Sequence, residues 1–209
     1  MSHAMIPLDL ILVRHGESEG NRDKMFTGHG PSPLTERGRR QAEAVADALA
    51  APRPDAVYVS DLVRARATAA PLCLRAGLEP VVTERIRERD MGDFVGVRFE
   101  EVQARDPEGW RAIAERRPDY RPPGGESHRD VHARVSRFLD ELRARHGGER
   151  VVVVSHGVAI HHMLRHLLQT PEAAVAFATD NCCLHRLELR ADGAARVAAL
   201  NDARHLAGI

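Results

Sequence analysis

Three short apolar runs, Leu10 to Val13, Ala56 to Val59 and Val151 to Val154, narrow most sharply what this chain can fold into. Each has the length of a strand. Longer stretches with apolar residues at helical spacing lie between them, the pattern of a mainly parallel sheet covered by helices on both faces. In "LTERGRRQAEAVADALA", Thr35 can cap a helix whose Ala42, Val45, Ala46 and Leu49 share one face. Asp61 to Ala76 aligns Leu62, Ala65, Ala69 and Leu72, and Glu126 to His146 turns Val131, Val135, Phe138, Leu139 and Leu142 inward. "VVVVS", apolar on both faces, reads as a central strand, followed by a helix from Val158 to Leu168. Cys183 to Leu189 and Ala195 to Leu200 flank "ADGA", an Asp-Gly hairpin signal that predicts an antiparallel edge. Gly92 to Pro123 is rich in charge, Gly and Pro, and is predicted to be a largely helical insertion covering one end of the sheet. With 209 residues, one α/β domain spanning residues 1–209 is expected. The leading "MSHAM" is either a natural extension or a cloning remnant and plays no part in this reading.

Thirty basic and thirty acidic residues cancel. No overall field would draw the protein to nucleic acid or to an anionic membrane, so neither is an expected partner and any anion recognition must be local. Three cysteines, Cys73, Cys182 and Cys183, are too few and too poorly spaced for a disulfide framework or a zinc knuckle, and are read as buried free thiols in a reducing compartment. No apolar run approaches the roughly 20 residues that span a bilayer. The N-terminus also lacks a charged region followed by an apolar one. A cytoplasmic location is expected.

Ligands of an open α/β sheet bind at the carboxyl ends of its strands. Here "LILV" runs into Arg14, His15 and Gly16, "AVYV" into Ser60 and Asp61 with Arg64 one turn on, and "VVVV" into Ser155, His156 and Gly157. Parallel strands would bring two histidines and two arginines to one rim. Guanidiniums grip phosphate oxygens in bidentate fashion, and helices starting after Gly16 and Gly157 could add backbone N–H groups. Nearby arginines lower the pKa of a histidine, leaving one imidazole neutral enough to attack. No nucleotide-binding glycine loop is present. His156, His161, His162 and His166, and His128 with His132, admit a metal reading, but core or surface histidines explain them better and no metal or other cofactor is expected.

In order along the chain, "LVRHGESEGN", "SPLTERGRRQA", "VYVSDLVRARATA", "RERDMGDFVG", "PPGGES" and "VVVVSHGVAI" resemble the histidine phosphatase superfamily, which includes the cofactor-dependent phosphoglycerate mutases, from Asp9 to about Leu200. The resemblance implies a phosphoglycerate mutase-like three-layer sandwich and a phosphohistidine intermediate. It implies that His15 is the nucleophile, that Arg14, Arg64 and His156 complete the phosphate pocket with Gly157 beside them, and that Asn21 adds a hydrogen bond. Glu88 falls at the proton donor's place, with Glu84, Asp90 and Asp93 as nearby alternatives. Gly20, Pro31 and "DFVG" depart from the family's common residues around the pocket, which leaves the substrate open.

The implied reaction is metal-independent hydrolysis of a small phosphomonoester. A phosphoglycerate mutase or related phosphomutase is the alternative, and a non-catalytic phosphate-binding module is a third reading. Arg98, Arg111, Arg116, Arg117 and Arg121 could serve a second phosphate, although solvated helix faces explain them more simply. The exposed edge near the C-terminus permits a homodimer.

Overall fold

The computed structural model describes residues 6–171 and 175–209, so "MSHAM" lies outside the described residues. In chain order the regular elements are β1 (Leu8–Arg14), α1 (Glu19–Arg22), α2 (Glu36–Ala48), β2 (Ala56–Ser60), α3 (Val63–Ala76), β3 (Val81–Thr83), α4 (Phe99–Arg105), α5 (Pro107–Ala114), α6 (His128–Arg145), β4 (Arg150–Ser155), α7 (Gly157–Leu167), β5 (Leu184–Leu189) and β6 (Ala195–Asp202). The strands form one six-stranded sheet in the order β3-β2-β4-β1-β5-β6. The first four are mutually parallel, and the C-terminal hairpin adds β5 antiparallel to β1 and β6 antiparallel to β5. This is the mainly parallel α/β sheet with an antiparallel hairpin at its edge that the sequence predicts.

Alternating side chains on each strand divide the core into two layers, as the period of two requires. Leu10, Leu12, Val151 and Val153 pack with α6 and α7 through Val131, Val135, Phe138, Ile160, Met163 and Leu164. Ile11, Val13, Val152 and Val154 pack on the other face with α2 and α3 through Val45, Ala46, Ala65, Ala69 and Leu72. Strands β1 and β4 are therefore apolar on both faces and lie at the centre of a three-layer sandwich.

Helix boundaries differ from the sequence expectation for local reasons. Ser60 ends β2 and Leu62 stays extended (φ −66°, ψ 137°), so α3 starts at Val63 rather than Asp61. In α6, Ser127 caps the helix reciprocally with Asp130: the Asp130 N–H donates to Ser127 Oγ (3.2 Å) and the Ser127 N–H to Asp130 Oδ2 (2.7 Å). The helix thus begins at His128, and Glu126 is released for another task described below. The Gly92–Pro123 segment holds α4, α5 and a 3₁₀ turn at Gly92–Phe94. It docks through a small aromatic cluster in which Phe26 meets Phe94, Phe99 and Trp110 with ring centroids 4.5–6.3 Å apart. The three-residue β3 is an element that the sequence reading did not anticipate. Among the described residues, no helix is long and apolar enough to cross a membrane.

Candidate active site

Register places the site. Arg14 pairs with Ser155 across β1 and β4, and Val59 pairs with Val154 across β2 and β4, so the three strands end at one level. The next residues leave the sheet together, and the His15 N–H donates to the Ser155 carbonyl at 3.0 Å. Their ring centroids put His15 and His156 5.1 Å apart, at the crevice where the strand order reverses.

His15 is 3% exposed, and its Nδ1 lies 2.7 Å from the Gly16 carbonyl. A carbonyl can only accept, so this bond assigns the ring proton to Nδ1 and leaves the lone pair on Nε2. Burial, then the guanidiniums of Arg14 and Arg64, push the His15 pKa well below its ordinary value, and the Gly16 bond only partly opposes them. His156 is fully buried and likewise lowered, by burial first and then by Arg64 and His15. Ser60 Oγ accepts from the Leu62 N–H (3.4 Å) and shares a hydrogen bond with His156 Nε2 (2.8 Å); with the hydroxyl as donor in that bond, the imidazole proton sits on Nδ1.

Arg64, on the first turn of α3, is completely buried, and burial lowers its pKa to about 10. Its two terminal nitrogens donate to the carbonyls of Gly28 (2.8 Å) and Gly30 (3.2 Å). Arg14 donates to the Thr179 carbonyl at 2.6 Å. Neither arginine has a carboxylate ion-pair partner among the described residues. Arg14 Nε, Arg64 Nε and His156 Nδ1 are buried and make no hydrogen bond. Three unpartnered ring or guanidinium nitrogens in one crevice, two on cations without a carboxylate ion-pair partner among the described residues and one on a neutral imidazole, form an arrangement that an anion completes.

Glu88 is the one acid of the four sequence candidates that the structure brings to this crevice. Its carboxylate accepts from the Arg89 N–H (2.8 Å) and from Val158 N–H at the start of α7 (3.2 and 3.3 Å), and it lines one cavity with Arg14 and Gly157. Glu84 is largely exposed and pairs with Arg87, while Asp90 accepts from Gly92 N–H. Glu88 is held by Arg134, whose guanidinium donates to the carbonyls of Arg85, Arg87 and Glu88 at 2.8–3.1 Å and to the Glu126 carboxylate at 2.9–3.0 Å. That is the task of Glu126, which also accepts from the Asp90 N–H at 3.0 Å.

One expectation requires correction. The chain after Gly16 does not present a helix N-terminus to the crevice: the Gly16 N–H is taken by Thr68 Oγ1 at 3.0 Å, and α1 has four residues only. Gly16 is needed for another reason, since a Cβ there would lie 2.5 Å from the Gly38 carbonyl oxygen of α2. Four of the five arginines considered for a second phosphate are engaged elsewhere. Arg111 and Arg117 pair with Glu108, Arg121 pairs with Asp130, and Arg98 donates to the Asp23 carbonyl.

Asn21 Oδ1 accepts from the Ser18 N–H (3.2 Å) and from Asn181 Nδ2 (3.1 Å). Asn181 also donates to the His15 carbonyl at 2.9 Å. Asn181, Thr179, Thr68 and Ser60 all buttress the rim and were not singled out from sequence. Only Ser60, directly after the second apolar run, carried a positional signal. All three cysteines are buried free thiols, and burial raises the pKa of each. Several histidine nitrogens of α6 and α7 are taken by one another or by other protein groups: His128 Nδ1 lies 3.0 Å from His162 Nε2, and His166 Nε2 lies 2.9 Å from Asp140. A larger apolar groove of about 730 Å³ beside α3, lined by Val63, Leu74 and Leu78, contains none of Arg14, His15, Arg64, Glu88 and His156.

An α/β sheet whose rim gathers two histidines, two arginines and an acid around unpartnered N–H donors defines a site of the phosphoryl-handling class. Residues 10–203 match the histidine phosphatase superfamily, branch 1, and the chain belongs to that superfamily. It is 40% identical over 159 residues to phosphoserine phosphatase 1 of Hydrogenobacter thermophilus, covering 76% of this chain and 75% of that protein. It is 34% identical to a probable phosphoglycerate mutase of Cronobacter sakazakii over 87% of this chain and 85% of that one. A solved structure of a mycobacterial glucosyl-3-phosphoglycerate phosphatase superposes with a TM-score of 0.82 at 31% identity, covering 93% of this chain and 99% of the other.

Proposed function

We propose that this protein is a cytoplasmic, metal-independent phosphomonoesterase that acts on small phosphorylated metabolites through a phosphohistidine. The observation that carries this reading is the pair of arginines, Arg64 buried and Arg14 half-buried, that have no carboxylate ion-pair partner among the described residues and whose charges act on the buried His15. Leaving the buried Arg64 charge uncompensated costs several kcal/mol, by order of magnitude, unless a ligand supplies the counter-charge.

In the first half-reaction, His15 Nε2 attacks phosphorus and the P–O bond to the substrate's alkoxide breaks. The proton on Nδ1, held by the Gly16 carbonyl, lets the resulting imidazolium stay charged at the nitrogen remote from phosphorus. Arg14, Arg64 and the Nδ1–H of His156 bind the phosphoryl oxygens where negative charge develops. Glu88, when protonated, gives its proton to the leaving oxygen, so an alcohol departs. In the second half, the Glu88 carboxylate takes a proton from water as the water oxygen attacks phosphorus. The P–N bond then breaks, returning inorganic phosphate and neutral His15. The arginines supply the charge stabilisation that a metal ion would otherwise provide.

Phosphatase is favoured over mutase because four of the five candidate arginines are tied to other groups. A mutase must retain a bisphosphorylated intermediate, which calls for a second strong phosphate site. The test is to incubate the purified protein with 3-phosphoglycerate and with a panel of phosphomonoesters, with and without 2,3-bisphosphoglycerate and with chelator. Phosphate release that exceeds isomerisation and survives chelation is expected. Isomerisation that outruns release would establish the mutase instead, and activity abolished by chelator would overturn the mechanism.

Glu88→Gln probes the acid. It keeps the shape of the side chain but removes the proton that is shuttled, and general acid–base catalysis contributes about 10²- to 10⁴-fold. Turnover of alkyl phosphates should fall within that range, while p-nitrophenyl phosphate, whose leaving group needs no proton, should lose far less in the first half-reaction. Equal losses on both substrates in single-turnover phosphorylation of the enzyme would remove Glu88 from this role.

A further inference from the structure

The turn that grips Arg64 also reaches the acid. Gly28 and Gly30 offer their carbonyls to the Arg64 guanidinium, and between them the half-buried His29 turns its imidazole to the Glu88 carbonyl, with Nε2 2.8 Å from the oxygen. A carbonyl only accepts, so His29 donates from Nε2, while its Nδ1 faces Asp90 Oδ2 at 3.5 Å. The Glu88 carbonyl also accepts from Arg134 at 2.9 Å. Two donors, one on this turn and one on α6, thus fill both lone pairs of a single oxygen. The peptide unit that they hold continues into the Arg89 N–H, and in a trans peptide that N–H points to the side opposite the C=O. It donates to the Glu88 carboxylate at 2.8 Å, so the hold on the carbonyl sets the direction in which the acid is kept. The turn is itself packed in place, since a Cβ at Gly28 would lie 2.9 Å from the Met91 nitrogen, three residues past Glu88.

We infer that His29 is a positioning residue for Glu88: it fixes the Glu88–Arg89 peptide unit so that the carboxyl group stays aimed at the leaving oxygen. This rests on the proposed role of Glu88 as the acid. Without the imidazole, Arg134 alone would hold the carbonyl, and the peptide unit could turn about that single partner and carry the Arg89 N–H away from the carboxylate. The effect of His29 on the reaction passes through Glu88, because among the described residues its ring faces only the Glu88 carbonyl and the carboxylates of Asp90 and Glu126. The grip on Arg64 is separable from this, since it uses backbone carbonyls that remain when the His29 side chain is replaced.

The test compares His29→Ala, His29→Gln and His29→Asn with Glu88→Gln in single-turnover phosphorylation of the enzyme, using p-nitrophenyl phosphate and the alkyl phosphate of the panel that wild type hydrolyses fastest. His29→Ala should slow the alkyl phosphate about fivefold to tenfold, the scale of one hydrogen bond, and the aryl phosphate by less than about twofold. Glutamine carries an amide nitrogen at the reach of Nε2 and asparagine one at the reach of Nδ1, so His29→Gln should recover most of the alkyl phosphate rate and His29→Asn should not. The double variant His29→Ala/Glu88→Gln should be no slower on the alkyl phosphate than Glu88→Gln alone, because no acid is left to aim. Inorganic phosphate should bind His29→Ala with a Kd within about twofold of wild type, whereas a general loosening of the fold would weaken it and slow both substrates. The polar variants, close in size to imidazole, carry the comparison if His29→Ala folds poorly. Equal losses on the two substrates, recovery by His29→Asn as well as by His29→Gln, or full additivity in the double variant would overturn the assignment while leaving Glu88 as the acid. If Glu88→Gln itself slows both substrates equally, the acid reading fails and this one fails with it.

Discussion

The His15→Ala variant should release phosphate from p-nitrophenyl phosphate no faster than the buffer blank, a fall of at least about 10⁴-fold. Removing a nucleophile forfeits the covalent route entirely, whereas losing a binding group leaves a residue of activity. Acid-labile radiolabel from a ³²P substrate should be trapped on wild type during turnover and be absent from the variant. The fold should survive, because among the described residues the ring makes a single hydrogen bond, to the adjacent Gly16 carbonyl, worth about 1 kcal/mol net. Because Arg14, Arg64 and burial depress the His15 pKa, the nucleophile stays neutral as the pH drops below 6.5. The rate per folded molecule should therefore not fall with the ordinary titration of histidine. Variant and wild type matching at the blank rate, or equal label on both, would exclude this site from catalysis.

The rim was readable because parallel strands make a one-dimensional pattern into a three-dimensional one. Wherever an apolar run ends in polar residues, those residues come level with the ends of its neighbours, which is how Arg14, His15 and His156 meet. The same logic carried Arg64, one helical turn beyond the second run. What lies beyond the strands obeys no such period. Thr179 and Asn181 reach Arg14 and His15 from an irregular segment more than 160 residues away in sequence, and no local pattern marks them. Glu88 could be separated from Glu84, Asp90 and Asp93 only by tertiary contacts, since Arg134 on α6 fixes which carbonyls of that loop turn inward. Ion pairing is equally invisible along the chain. Arg116 and Arg117 are neighbours in sequence, yet Arg117 is neutralised by Glu108 and Glu115 while Arg116 faces a cavity. The strand β3 was missed because three residues at a sheet's margin carry too short a pattern.

Acid should destabilise this protein well before its carboxylates titrate. Besides the half-buried His205, burial lowers six buried histidines below their ordinary value: His15 and His156 in the crevice, His128, His161 and His162 at about 3, 4 and 2 between α6 and α7, and His185 at about 4 on β5. The sign follows from proton counting. The folded state holds these rings neutral, while the unfolded chain protonates them below about pH 6.5, so the unfolded state binds more protons and stability falls as the pH drops from 6.5 toward 4. Each ring that stays neutral costs up to about 1.4 kcal/mol per pH unit across that window. Three or four of the six suffice to remove about 4 kcal/mol by pH 5.5, a large share of the roughly 5–15 kcal/mol that holds a domain together. For a chain of this length that is a fall in Tm of more than about 10 °C between pH 7.5 and 5.5, read from circular-dichroism melts. His185 gives the cleanest single check, because burial is the sole cause of its shift and it lies on β5, outside the catalytic rim. His185→Gln should reduce the proton uptake on unfolding at pH 5.5 by about one. A Tm that stays level across this range would mean that the buried imidazoles accept protons in place. The electrostatic basis for a neutral His15 beside two arginines would then be lost as well.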